Sequence, residues 1–144
     1  MQKTRRAILG TTALAVLAAA ASLVPRAVRA QADLLDGKVF VTTEGERGKP
    51  ADVDNVLTFS GGKFHSKACD QWGYDKGTVK ATRAGDAIHF ETETRSEKYE
   101  TRQVWKGVIK GDTIEGTKTV YRKPSFFRPN PDPIEGWFKG ALKP

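Results

Sequence analysis

"VWKGVIKGDTIEGTKTV", residues 104–120, is two short runs of strand-forming residues on either side of Gly111-Asp112. Read as a hairpin with that pair at its tip, the register follows directly. Ile109 faces Ile114, Gly107 faces Gly116, Trp105 faces Lys118, and Gln103 faces Val120. A two-residue hairpin turn requires positive φ, which Gly111 supplies without steric cost. Side chains alternate across a strand, so the Ile109/Ile114 pair chooses the inner face for the whole hairpin.

The same unit recurs along the chain. "KGTVK" at 76–80, "KGVIK" at 106–110 and "KGALK" at 139–143 share Lys-Gly-x-apolar-Lys, and the first two lead into Gly-Asp-x-Ile. A glycine at a fixed place in a repeated strand suits a sheet that has to coil. Turn signals arrive every 8–15 residues, with further hairpin tips at Gly61-Gly62 and Gly85-Asp86. They predict strands near 38–43, 55–60, 63–69, 77–84, 87–95, 100–110, 113–122 and 136–143. No segment after Leu35 sustains a helical period. The fold class expected is all-β: a single antiparallel up-and-down meander of about eight strands forming a small barrel, which removes exposed sheet edges. It would follow an N-terminal signal helix. A two-sheet sandwich is the alternative.

In length and meander the chain resembles the small exported lipocalin-like and avidin-like barrels. The resemblance is one of pattern. The Gly-x-Trp usual in the first strand of true lipocalins is absent, since this strand reads "DGKVFV" (36–41), and no binding residue is carried over from either family.

The N-terminus, "MQKTRRAILGTTALAVLAAAASLVPRAVRA", has a basic start, an apolar run from Ala7 to Val24 and a small-residue end at Val28-Arg29-Ala30. That is the layout of a secretory signal peptide. We therefore expect residues 1–30 to be a signal peptide cleaved after Ala30, and 31–144 to be the barrel domain. The apolar run is Ala-rich and interrupted by polar residues, which disfavours a permanent span. "TRRAILG" (4–10) resembles the twin-arginine export signal. The resemblance implies recognition by export machinery and a periplasmic or secreted destination.

Removing the leader changes the charge. The full chain carries 24 Lys+Arg against 17 Asp+Glu. Five of the basic residues (Lys3, Arg5, Arg6, Arg26, Arg29) lie before residue 31, so 19 basic and 17 acidic residues remain, a net charge of +2. The remaining charges alternate in sign, which excludes the basic face a nucleic-acid binder needs. With a single cysteine no internal disulfide forms, and stability has to come from packing.

The candidate chemistry is sparse. "KFHSKACDQWGY" (63–74) holds Cys69 and one of two histidines. If it runs as a strand, Phe64 faces Phe59 inside, and His65, Lys67 and Cys69 share the outer face. His65 and Cys69 would then be ~13 Å apart at ~3.3 Å per residue. Zinc–ligand bonds of ~2.0–2.3 Å do not bridge that gap. We expect no metal and no cofactor. A nucleophilic thiol needs a base beside it, and this register brings none. Cys69 is read as a strand-end residue covered by the loop Trp72-Gly73-Tyr74, and Cys69→Ser is expected to abolish no activity. His89 falls opposite Thr82 on the polar face. The acidic stretch "ETETRSEKYE" (91–100) is read as a solvated face, with Glu91 opposite Lys80 as a cross-strand pair.

Two places suggest function. The facing Gly107 and Gly116 leave space beside Trp105, and Gln103, Lys118, Ser66 and Thr92 fall on inward positions. Such a cavity with a few polar groups is how small-molecule sites are made. The leading functional expectation is therefore a non-enzymatic exported module that takes a small apolar or amphiphilic ligand at these five residues. For the interior itself the expectation is a barrel filled by its own side chains, with an open cavity as the alternative, so that a ligand would sit inside or at the mouth. The second place is "RKPSFFRPNPDPIEGW" (122–137), stiffened by four prolines, with Phe126-Phe127 costly to leave in water. We expect this loop to plug a barrel end. Alternatively its 123–136 span presents Phe126, Phe127 and Arg128 to a protein partner, as an inhibitor or accessory subunit would.

Overall fold

The computed structural model describes residues 33–144. The expected signal peptide, its cleavage point and its twin-arginine-like start lie outside the described residues.

Nine strands form one antiparallel sheet rolled into a nearly closed barrel. They are β1 (Val39–Glu46), β2 (Val53–Ser60), β3 (Lys63–Ser66), β4 (Gly77–Thr78), β5 (Lys80–Ala84), β6 (Ala87–Ser96), β7 (Thr101–Lys110), β8 (Thr113–Arg122) and β9 (Ile134–Leu142). The spatial order is β4-β3-β2-β1-β9-β8-β7-β6-β5. Every strand except β4 pairs with the next in sequence, and β9 returns to pair with β1. The two strands at the ends of that order, β4 and β5, are separated by Val79 alone, so the meander forms a ring of eight with one strand bent in two. This is the strand expected at 77–84.

The bend closes the ring. Gly77 and Thr78 pair with β3, and Lys80–Ala84 pair with β6. From Asp75 to Thr78 the chain also runs against the far half of β6. Asp75 N donates to Arg95 O (2.9 Å), Arg95 N to Asp75 Oδ1 (2.6 Å), and Thr92 Oγ1 to Thr78 O (2.9 Å). Gly77 permits this approach: a Cβ there would collide with Thr92 Oγ1 and the Glu93 carbonyl.

Hairpin registers follow the turn glycines. Phe59 opposes Phe64, Thr82 opposes His89, and Ile109, Gly107, Trp105 and Gln103 oppose Ile114, Gly116, Lys118 and Val120. The inward row that crosses the middle of the sheet is Phe90-Gly107-Gly116-Phe138. The space beside the two glycines is not empty. A Cβ on Gly107 would lie 2.5 Å from the Phe90 ring, and one on Gly116 2.5 Å from the Phe138 ring. The two rings occupy that space and continue into an aromatic core. Ring centroids are 5.1 Å apart for Phe59–Phe90, 5.0 Å for Phe64–Trp105 and 5.5 Å for Trp105–Phe138.

The interior is graded. One end, at the Gly111 and Gly61 turns, is apolar: Phe40, Phe59, Phe64, Ile88, Ile109 and Ile114 are buried. Leu35, fully buried, covers it. The turn that carries Leu35 is tied down by Gly37 N donating to Phe59 O (2.8 Å) and Gly61 N donating to Asp36 Oδ1 (2.6 Å). The other end is polar, with Thr42, Glu44, Asn55, Ser66, Thr94, Ser96 and Gln103 buried.

Two expectations are corrected. The strand expected at 63–69 stops at Ser66, and residues Lys67–Trp72 form a 3-10 turn. Asn55 causes the break. Its Oδ1 accepts from Val56 N on its own strand and from Ala68 N (both 2.8 Å), which pulls the chain off the β2 ladder. The loop at 123–133 plugs neither end; Phe126 and Phe127 are 93% and 94% exposed. Leu35 covers one end and the 3-10 turn packs at the other.

Gly116→Ala is expected to lower stability by about 1–3 kcal/mol, the usual cost of overpacking, because its Cβ would meet Phe138 and, at 2.7 Å, the Gly107 Cα. The urea midpoint of the variant measures this.

Candidate functional site

Two features carry chemistry: the polar end of the lumen and the proline-rich finger.

At the polar end, β1 contributes Glu44, in the same inward phase as Phe40 and Thr42. β2 contributes Asn55, in phase with Leu57 and Phe59. Glu44 is 2% exposed. One carboxylate oxygen accepts from Asn55 Nδ2 and the other from Lys118 Nζ, both at 2.5 Å. Asn55 Nδ2 also reaches Ser66 Oγ (2.7 Å). Lys118, 20% exposed, lies with its ammonium 5.0 Å from the Trp105 ring centroid. That position combines an ion pair with a cation–π contact. Gln103 Oε1 accepts from Thr94 Oγ1 and from Cys69 Sγ, both at 3.4 Å. Trp105 Nε1 donates to Thr94 Oγ1 (3.4 Å).

The five residues singled out for ligand binding are thus placed as follows. Trp105, Gln103 and Lys118 share the polar end, and Ser66 joins Lys118 through Asn55 and Glu44. Thr92 stands opposite Trp105, but its hydroxyl is committed to the seam. Among the described residues, no buried side-chain nitrogen or oxygen lacks a hydrogen-bond partner. The polar groups satisfy one another. Sequence reasoning missed Glu44, Asn55, Thr94 and Cys69 as members of this network. The signal for the first two was present: the alternation Phe40-Thr42-Glu44 and Asn55-Leu57-Phe59 turns both inward.

Cys69 is a correction. Expected on the outer face with His65, it is buried beside Gln103 because the 3-10 turn rotates it inward. His65 stays outside, its Nε2 2.6 Å from Asp70 Oδ1. The two therefore lie on different faces. Burial pushes the Cys69 thiol above its ordinary value, so the neutral form is favoured and nucleophilicity is suppressed. His89 lies in an outer groove of about 740 Å³ on the convex side of the sheet, with Lys106, Glu115 and Trp137.

The finger joins β8 to β9. Ser125 N donates to Arg128 O (2.9 Å) and Arg128 N to Ser125 O (3.0 Å), which closes a turn with Phe126-Phe127 at its tip. The two rings meet edge to face at 5.3 Å. Pro124 precedes the turn, and Pro129, Pro131 and Pro133 follow it, so φ is restricted on both sides. Lys123 Nζ is 2.5 Å from Glu100 Oε1, which fixes the base of the finger to the β6–β7 connection.

Comparison with protein-family models, with curated proteins and with solved structures found no match.

Two outcomes test the polar end. Lys118→Met leaves the Glu44 carboxylate buried without its cation. It should cost about 2–3 kcal/mol, below the 3–5 of a fully buried pair because Lys118 keeps some exposure. Adding Glu44→Gln should recover most of that loss; urea denaturation of the two variants measures both. The second concerns pH. A thiol with a raised folded pKa stays protonated while the unfolded thiol ionises above its ordinary value of 9.0, so stability falls as pH rises past that point. Cys69→Ala should show a shallower fall in melting temperature than the parent between about pH 8.5 and 10.5, where a free thiol ionises.

Proposed function

We propose that this chain is a non-catalytic docking module of the cell exterior or periplasm, attached to another component through the Phe126-Phe127 finger. The observation that carries this reading is the exposure of both rings at 93% and 94% on a turn whose backbone is hydrogen-bonded and proline-flanked. A side chain of this size forgoes about 1.5–3 kcal/mol when left in water. Adjacent apolar rings held outward on a shaped turn mark an interaction site. The export-type N-terminus supports the location. The barrel serves as scaffold: its apolar half is filled by its own rings, and its polar half is bonded to itself.

A second reading keeps the small-ligand expectation. It is favoured by the assembly of Trp105, Gln103, Lys118 and Ser66 at one end of the lumen. A ligand there would have to compete with Glu44 for Lys118, so tryptophan fluorescence would respond to an anionic or amphiphilic ligand.

A photo-crosslinking phenylalanine analogue at position 127, irradiated in the exporting cells, tests docking. We expect adducts at 127 that are absent at position 86, on the Gly85-Asp86 turn, and that are lost when Phe126 is Ser. Labelling no greater at 127 than at 86 would remove the finger as a docking site.

A further inference from the structure

We infer that the finger docks on an anionic lipid surface, with the two rings at the headgroup–acyl boundary and a cluster of cations on the lipid phosphates. The inference rests on the docking role of the finger and names its acceptor.

Three features favour a lipid surface. First, a depression of about 310 Å³ beside the rings is lined by Arg122, Lys123 and Arg128, with Ser125, Phe127 and Pro131. Lys123 is paired with Glu100, which leaves the two arginines, Arg122 and Arg128, and the Ser125 hydroxyl around one hollow next to an apolar tip, a match to a lipid phosphate above an acyl chain. Arginine in particular binds phosphate through paired N–H donors. Second, the base of the finger has the composition of an interfacial belt. Tyr121 and Ile134 are exposed there, with the Arg102 guanidinium 3.9 Å from the Tyr121 ring centroid. Tyrosine favours the headgroup level, where its ring is apolar and its hydroxyl wet.

Third, the contact area is small. Two phenylalanines bury roughly 150–250 Å² each, whereas a stable protein–protein interface needs about 800 Å² per partner. A lipid surface needs no matching partner face: two inserted rings and a few basic residues give weak, reversible attachment. The predicted binding is salt-dependent, because the cationic part is screened.

Residues 31–144 contain the entire barrel and finger, and this chain serves for the test. It is sedimented with vesicles of phosphatidylcholine alone and of phosphatidylcholine with phosphatidylglycerol. We expect binding to the anionic vesicles, at least tenfold weaker binding to the neutral ones, and weakening by added salt. Phe126→Ser with Phe127→Ser should reduce binding at least tenfold, with the circular dichroism and melting temperature unchanged, since both rings touch solvent. Arg122→Gln with Arg128→Gln should flatten the salt dependence and leave a weak residual affinity.

Equal binding to both vesicle types would remove the phosphate contact and overturn the inference. So would displacement by millimolar inorganic phosphate while the double serine variant still binds, which would mark an anion hollow only. No vesicle binding together with a protein adduct at position 127 in cells would overturn the lipid acceptor and leave docking standing. No vesicle binding and no adduct would overturn both.

Discussion

The row Phe90-Gly107-Gly116-Phe138 is the constraint on which the rest depends. An eight-stranded ring is barely wide enough for its own side chains, and this one carries six buried aromatic residues: five phenylalanines and Trp105. Two facing glycines let two of the rings lie across the middle of the sheet. Had either glycine carried a side chain, the rings would have to leave the centre and the coil of the strands would have to relax. The apolar half is filled because those positions are empty of side chain, and a filled apolar half leaves chemistry only at the polar end and outside.

The polar end shows how a small barrel keeps a charge inside. The buried Glu44 is tolerated because Lys118 and Asn55 together occupy its two oxygens. Breaking that set leaves a buried charge without its partners, which is costly in a low-dielectric interior. Asn55 does two further things: it holds Ser66 and catches the amide of Ala68. The carbonyl that ends β3 therefore belongs to the same side chain that solvates the carboxylate. Cys69 is carried inward as a consequence of this turn, and its protected thiol follows from local backbone geometry.

The finger runs against the grain of the rest of the molecule. Leu35 and the 3-10 turn cover the barrel ends, so the phenylalanines at 126 and 127 are not needed there. Four prolines and a two-bond turn keep them from folding back. Apolar residues left out by a core that is already full, and held out by a shaped backbone, are what an attachment device requires.

The amino-acid sequence by itself determined the all-β class, the up-and-down order and the facing pairs of three hairpins. Glycine at a two-residue turn sets register locally, and strict alternation carries that register along each strand. The inward places of Trp105, Ser66, Gln103 and Thr92 were legible for that reason, and Glu44 and Asn55 lay within reach of the same rule. Other outcomes were decided only in three dimensions. Whether paired glycines leave a cavity depends on rings from β6 and β9, distant in sequence. Cys69 turned inward because an asparagine on another strand captured the chain. The finger stayed outside because the 3-10 turn at Lys67–Trp72, far earlier in the chain, had taken the polar end of the barrel from which the finger leaves. Each is a competition between remote groups for the same space or the same hydrogen bond, and alternation along a strand carries no information about which competitor wins.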